Sequence, residues 1–441
     1  MDDFYHFLYE SRPHQQIKLG LERIFTLSRK LGHPERRYRS IHIAGTNGKG
    51  SVTKMISSLL VSSGFNVGAN YSPHLVSFNE RITLNDRPIT DEQLLHVLNA
   101  IYPAIEEMDN GEQKMKPSFF EIVTAMAFYF FREEAVDFAS VEVGMGGRLD
   151  ASNIIRPEVC AITSIGFDHM KSLGNSIGKI AYEKAGIIKK HVPIVCGALP
   201  EEARGEIASR ARLLESEAFF IGNDYSYYPQ KSTLNDNLFS YDEEGYTLSN
   251  IPLRLNGRHQ LLNASTAICC YRRLCQRLSL PYNEETVRKV MAQITWPGRF
   301  EVICDTPSII IDGAHNPPAF ETLVKAWKEY FGEQKAVLIT GILADKEYPK
   351  MVDIIKPIIS KVIITEPKAG ERVQIGPVCD TFKEKCPGAE TEFIRDYKEV
   401  CVRALSVSGN KTPILVTGSL YLVGYIKDTF RTLFTDKRSE T

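Results

Sequence analysis

The sequence predicts an α/β protein in two domains: a larger N-terminal domain on a mostly parallel sheet, and a smaller C-terminal domain of the same class. Three observations carry this. Short β-branched runs alternate with longer amphipathic stretches between residues 39 and 196, the pattern of parallel strands returned by helices. A break at Gln293-Ile-Thr-Trp-Pro-Gly-Arg299 is followed by a second series of the same kind. The length of 441 residues exceeds what one hydrophobic core usually serves.

In chain order, the first series places strands at Arg39 to Ala44, Asn66 to Tyr71, Phe138 to Val143, Val159 to Ile165 and Pro193 to Cys196. Helical periodicity fills Thr90 to Met108, Ser118 to Glu133 and Ile177 to Ile187. Tyr225 to Leu255, rich in Tyr, Asp, Asn and Ser, reads as a small antiparallel appendage. Pro297-Gly298 marks the linker. Beyond it, strands are expected at Ser308 to Ile311, Ala336 to Thr340, Val362 to Thr365, Glu392 to Arg395 and Ile414 to Thr417, with helices between.

Composition excludes several classes. With 53 basic against 54 acidic residues there is no global field to draw the chain onto nucleic acid or an anionic membrane. The longest apolar stretch, Ile414 to Ile426, is interrupted by glycines and too short to span a bilayer. The nine cysteines are scattered and show no C-x-x-C spacing, which fits reduced thiols in the cytoplasm better than a disulfide framework or a zinc site.

The chemistry begins at Gly45-Thr46-Asn47-Gly48-Lys49-Gly50-Ser51, between an apolar strand and the helix-compatible run Val52 to Leu60. Glycines let backbone N–H groups approach oxyanions, and the first turn of a helix adds its own free N–H groups and the positive end of its dipole. Lys49 would carry charge to the outer phosphates and Ser51 a hydroxyl to their magnesium. The loop is a variant of G-x-x-x-x-G-K-[ST], since Ile43 replaces the first glycine and Gly50 separates lysine from hydroxyl. Glu142 closes an apolar strand and projects at the carboxyl edge of the sheet, where ligands collect in open α/β folds. Asp168 and His169 follow another strand to the same edge. Lys184, in Ile180-Ala-Tyr-Glu-Lys-Ala-Gly-Ile-Ile188, has apolar flanks that leave little polar face, so burial would favour its neutral amine. A neutral amine can take up carbon dioxide, giving a carbamate able to help position a divalent metal. Asp312 and His315 follow the strand Ile309-Ile-Ile311 in the second series.

Gly45 to Ser51, Ser72-Pro73, Phe78-Asn-Glu-Arg-Ile82, Phe120-Glu121, Glu142-Val-Gly-Met-Gly-Gly-Arg-Leu-Asp150, Asp168-His169 and Glu183-Lys-Ala-Gly186 together resemble the folylpolyglutamate synthase and dihydrofolate synthase family, a branch of the Mur ligases. The resemblance continues through Gly257-Arg-His-Gln260, Asn263-Ala264, Trp296 to Glu301, Asp312 to Pro317 and Val416 to Tyr421, so it covers nearly the whole chain in order. It implies a P-loop-type ATP-binding central domain over residues 1–296, a hinge at 297–300 and a smaller Rossmann-like ligase domain over 301–441. The implied reaction is ATP-dependent amide formation between L-glutamate and the carboxylate of a folate, or of dihydropteroate; the chain itself is expected to be a cytoplasmic monomer.

The resemblance also implies roles for individual residues. Lys49, Lys184, Asp312 and His315 would be catalytic. Gly45 to Ser51, Asn263, Arg299 and Asp312 would bind ATP, with Asn263 at the adenine. Ser51, Ser72, Glu142 and His169 would gather Mg2+, with Lys184 carbamylated beside them. Arg81, Phe120, Asp150 and Ser419 are the substrate candidates, Ser419 near the incoming glutamate. Three rivals stand beside this reading: another Mur-type ligase acting on a cell-wall precursor, a generic P-loop ATPase or kinase, and a nucleotide-gated binding protein without turnover. The ATPase leaves Asp312, His315 and Ser419 without a role.

Overall fold

Eight strands form the N-terminal sheet of this computed structural model, which describes residues 4, 6–10, 12, 19–111, 115–343, 346–367, 375–409 and 411–439. The strands are β1 Arg39–Ala44, β2 Val67–Asn70, β3 Ile82–Leu84, β4 Arg87–Pro88, β5 Phe138–Glu142, β6 Val159–Ile162, β7 Ile194–Cys196 and β8 Ala218–Phe220. Their spatial order is β4-β3-β2-β5-β1-β6-β7-β8. From β2 to β8 every pairing is parallel, and β3 and β4 add an antiparallel hairpin at one edge. Strand β1 lies between β5 and β6, so the chain leaves its carboxyl end where the order of connections reverses. Such switch points open a crevice for ligands.

Helices cover both faces because β1, β2, β5, β6 and β7 are buried along nearly their whole length, as internal parallel strands are. The helix Lys49–Ser62 and the helix Arg258–Leu278 pack one face with Ile41, Ile43, Val159 and Val195. Helices Glu22–Lys30, Asp91–Asp109 and Phe119–Glu133 form a second core on Ala139 and Val141. Each of the latter two starts from a capping box, at Thr90 with Gln93 and at Ser118 with Glu121. The appendage is a three-stranded antiparallel sheet in the order β11-β10-β9, with β9 Tyr225–Thr233, β10 Asp236–Glu243 and β11 Tyr246–Leu253.

The C-terminal sheet has six strands: β12 Glu301–Asp305, β13 Ser308–Ile311, β14 Ala336–Thr340, β15 Ile359–Ile364, β16 Glu390–Phe393 and β17 Ile414–Thr417. Their order is β12-β13-β17-β14-β15-β16, parallel except for the β12–β13 hairpin. Trp327 is fully buried in the core on one face, stacked on Phe331 at 4.4 Å and donating from Nε1 to the Gln334 carbonyl at 2.7 Å. Replacing Trp327 by alanine is expected to lower stability by about 3–5 kcal/mol, read as a shift of the denaturant midpoint.

The sequence expectations differ from the structure mainly at ends and edges. The strand expected to reach Ile165 stops at Ile162, because Thr163 to Gly166 turn their hydrogen bonds to residues 44–47. The strand expected over Glu392 to Arg395 begins at Glu390 and ends at Phe393. Strands β3, β4, β8 and β12 were not anticipated; all are edge or next-to-edge strands, where the run is short or half exposed. Among the described residues no helix is long and apolar enough to cross a membrane. All nine cysteines are free; seven are buried, and Cys304 and Cys379 are partly exposed.

Candidate functional site

The carboxyl ends of β1, β5 and β6 converge on the loop that follows β1. Gly45 and Gly48 have φ of 154° and 86°, which a side chain would strain, and a Cβ on Gly48 would lie 2.5 Å from the Asn263 Oδ1. The segment after β6 pins the loop: Thr163 and Ser164 hydroxyls donate to the Asn47 carbonyl at 2.6 and 2.9 Å, and Asn47 N–H donates to the Ser164 hydroxyl at 3.0 Å. The helix then starts at Lys49 with Gly48 as its N-cap, so its first N–H groups face the cavity without a side-chain cap.

Two lysines meet on this loop. Lys49 Nζ donates to the carbonyls of Gly45 and Thr46, both at 3.2 Å, and Lys184 Nζ donates to the Gly45 carbonyl at 2.8 Å. Lys184 is 3% exposed; burial, and then the Lys49 charge, pull its pKa down to about 7. Opposite them Glu142 is 4% exposed and accepts from the Ser72 N–H at 3.2 Å. Burial pushes its carboxyl up to about 7, against the pull of Lys49. The Ser72 hydroxyl is buried and has no hydrogen-bond partner. His169 begins a short helix in the left-handed region at φ 48°, with its side chain 45% exposed.

The C-terminal lobe closes the other side. Asp312 follows β13 and accepts from the N–H groups of Phe300 and Ala314, each at 2.8 Å, while Arg299 lies beside it and partly offsets the burial that raises its carboxyl. His315 Nδ1 lies 2.8 Å from the Gly313 carbonyl, which assigns the proton to Nδ1 and leaves Nε2 as an acceptor. Burial and the Lys346 charge lower its pKa to about 4. Asn316 caps the helix Pro317–Phe331 and donates to Asp168 across the seam at 3.0 Å; Lys346 Nζ reaches the same carboxylate at 3.4 Å. Burial alone would raise the Asp168 carboxyl, but Lys346, His169 and His315 hold it well below the usual range. Together the two lobes enclose a cavity of about 320 Å³.

The Mur ligase middle domain family matches residues 43–271, and the Mur ligase, glutamate ligase domain family matches residues 298–420. The chain is 35% identical over 412 residues to a folylpolyglutamate synthase of Lacticaseibacillus casei, covering 92% of this chain and 93% of that one. The chain belongs to the folylpolyglutamate synthase family of Mur ligases. A dihydrofolate synthase/folylpolyglutamate synthase of Bacillus subtilis is 34% identical over 93% of this chain and 95% of its own length. A solved Mycobacterium tuberculosis folylpolyglutamate synthase, complexed with ADP and AMPPCP, has a TM-score of 0.89 at 30% identity, covering 98% of this chain and 97% of that one.

Within this folylpolyglutamate synthase fold, Gly45 to Ser51, Ser72, Glu142, His169, Lys184, Asn263, Arg299, Asp312 and His315 all line the one cavity. Arg81, Phe120, Asp150 and Ser419 do not. The Asp150 carboxylate accepts from Met145 N–H at 2.8 Å and from Ser152 N–H and hydroxyl at 3.0 and 2.6 Å, so it shapes the turn behind the cavity. The Phe120 ring lies against Gly144, where a Cβ would collide with it, and thereby packs under the cavity wall. Arg81 is buried, donates to His74 Nδ1 at 2.8 Å and lies over the rings of Phe78 and Phe119. Ser419 is buried with its carbonyl taken by Val423 N–H. The sequence does not single out Lys346, which belongs to no motif, or Asn316, which stands there only within the run Asp312 to Pro317, and the fold brings both to Asp168.

Proposed function

We propose that this chain, acting as a monomer in the cytoplasm, couples ATP cleavage to the joining of L-glutamate to the carboxylate of a folate or of dihydropteroate, through an acyl phosphate. The observation that carries this is a single cavity with a phosphate loop on one lobe and Arg299, Asp312 and His315 on the other. A bare ATPase would have no use for the second wall. Groups from both lobes of the same chain line the cavity, and nine unpaired cysteines suit a reducing compartment.

The donor set suits Mg2+, a small hard cation that takes few protein ligands. Glu142 supplies a carboxylate, Ser72 a buried hydroxyl with no other partner, and Ser51 a hydroxyl in the first turn of the helix. His169 is the fourth member of this set. The bound ion would neutralise charge on the triphosphate and on the substrate carboxylate. Lys49 and the loop N–H groups orient the β- and γ-phosphates, and Arg299 approaches from the hinge. A carboxylate oxygen then attacks the γ-phosphorus and the bond to the bridging oxygen of ADP breaks. The glutamate amine attacks the acyl carbonyl, an amide forms, and phosphate departs with the amine proton lost to water or base. With its proton affinity lowered to about 4, His315 suits orienting that amine through Nε2 more than keeping its proton.

Lys184 is proposed as a carbamate. The ammonium first gives up one proton; the neutral nitrogen then bonds the carbon of CO2 and releases a second, so that a cation beside Lys49 becomes an anion. This removes the like-charge contact at the Gly45 carbonyl. Residues 297–300 are proposed as the hinge for lobe closure; Gly298 at φ 70° and Phe300 at φ 44° are both in the left-handed region.

Phosphate release by purified protein, supplied with Mg2+, ATP, L-glutamate and either tetrahydrofolate or dihydropteroate, tests this reading. Release is expected only when acid and glutamate are both present. Release from ATP alone, or only with a cell-wall nucleotide, would sink it.

A further inference from the structure

Gly424 lies in the second turn of the helix Leu420–Ser439, with no positive φ to explain a glycine there. Glycine is the poorest helix former after proline, so something other than helix formation selects it. A Cβ on Gly424 would fall under 3.0 Å from the Leu75 carbonyl oxygen and 2.9 Å from its carbon. These are backbone atoms of the N-terminal lobe and cannot rotate away. The Leu75 side chain is 9% exposed and belongs to the C-terminal lobe's core, packed with Leu420, Val423 and Ile426. From the hinge side, a Cβ on Gly298 would lie 3.2 and 3.4 Å from the two methyls of Leu75. Leu75 is therefore inserted between two glycines.

The loop carrying Leu75 is gathered onto one carboxylate. The Glu80 carboxylate accepts from the N–H groups of Leu75, Val76 and Ser77 at 2.7, 3.0 and 2.9 Å. Three residues back stands Ser72, whose N–H is bonded to Glu142. We propose that Gly424 and Leu75 form the joint through which the C-terminal lobe fixes the loop Ser72 to Ser77, making Gly424 a positioning residue for Ser72 and Glu142. The proposal rests on the reading above that Ser72 and Glu142 serve the triphosphate and its magnesium. When the lobe moves, the loop is carried with it, so the state of the far lobe reaches the phosphate site through the packing around Leu75.

The test is Gly424→Ala in the full chain, beside Gly205→Ala as control. Gly205 lies in the helix Glu201–Leu213, and a Cβ there meets nothing within 4 Å. Three quantities are read: turnover of ATP with folate and glutamate, the magnesium concentration for half-maximal turnover, and hydrogen exchange of the peptide spanning 72–82 in the free protein. For Gly424→Ala, kcat is expected to fall at least about tenfold, the magnesium requirement to rise several-fold, and exchange in the peptide to quicken, with the melting temperature kept within a few degrees. Gly205→Ala is expected to match wild type in all three. Wild-type exchange in Gly424→Ala overturns the joint, and faster exchange with turnover and magnesium requirement within twofold of wild type overturns the positioning role. A general loss of melting temperature and of AMPPCP binding also overturns it, as a purely structural lesion. Failure of the underlying reading looks different: wild type itself would show no turnover dependent on folate and glutamate, or Ser72→Ala would leave the magnesium requirement untouched.

Discussion

Lys49→Ala is expected to leave a folded protein that no longer adds glutamate, with turnover down by at least about 10²–10³-fold, the scale for removing one preorganised charge from a transferring group. Lys49 is not part of the core: among the described residues its Nζ donates only to the Gly45 and Thr46 carbonyls. Its loss should therefore move the melting temperature little. In the free structure the ammonium caps two carbonyls of its own loop, so binding of a triphosphate exchanges those neutral acceptors for anionic ones. Thermal melting and phosphate release on the same preparation check both halves of the expectation. Substantial turnover by a folded Lys49→Ala protein would remove the loop from the mechanism.

The second large effect is at Lys184. Lys184→Ala should lower turnover by a similar order, and millimolar small carboxylic acids should restore part of it by occupying the volume and charge of the carbamate. The pH dependence follows from the lysine's lowered proton affinity. With the pKa drawn down to about 7 by burial and by Lys49, the neutral, CO2-reactive amine is the minor form below that pH and the major form above it. Carbamylation should therefore increase as pH rises through about 7, and bicarbonate should raise activity most on the acid side. Mass analysis under mild conditions, or carbon-13 labelling from bicarbonate, reads the adduct directly. A Lys184→Ala enzyme with wild-type turnover would dismiss the carbamate.

The parts of the site made from local sequence were legible before any fold was known. Gly45 to Ser51 announces itself because glycine spacing, lysine and hydroxyl are contiguous, and Glu142 because a charged residue closes an apolar strand. The burial of Lys184 could be read from Ile180, Ala181 and Ala185, which are all buried in the structure. What was not legible depends on partners distant in sequence. Lys346 has no neighbouring pattern; only the fold brings it to Asp168, 178 positions away. Gly424 reads as a weak spot in a helix until the Leu75 backbone is seen against it. Strands β3, β4 and β12, at or next to a sheet edge, escaped because runs of two to five residues carry little periodic signal.

The distribution of thiols offers a practical handle on the proposed hinge. Cys304 and Cys379, the two cysteines within reach of solvent, both lie beyond residue 300, while the five N-terminal ones are buried. A maleimide-linked fluorophore or spin label applied to the unaltered enzyme would thus ride on the smaller lobe. Paired with a cysteine introduced on the exposed face of the helix Glu201–Leu213, it would give a molecular ruler across the cleft, reporting opening and shutting during turnover without touching a single group in the reaction chamber.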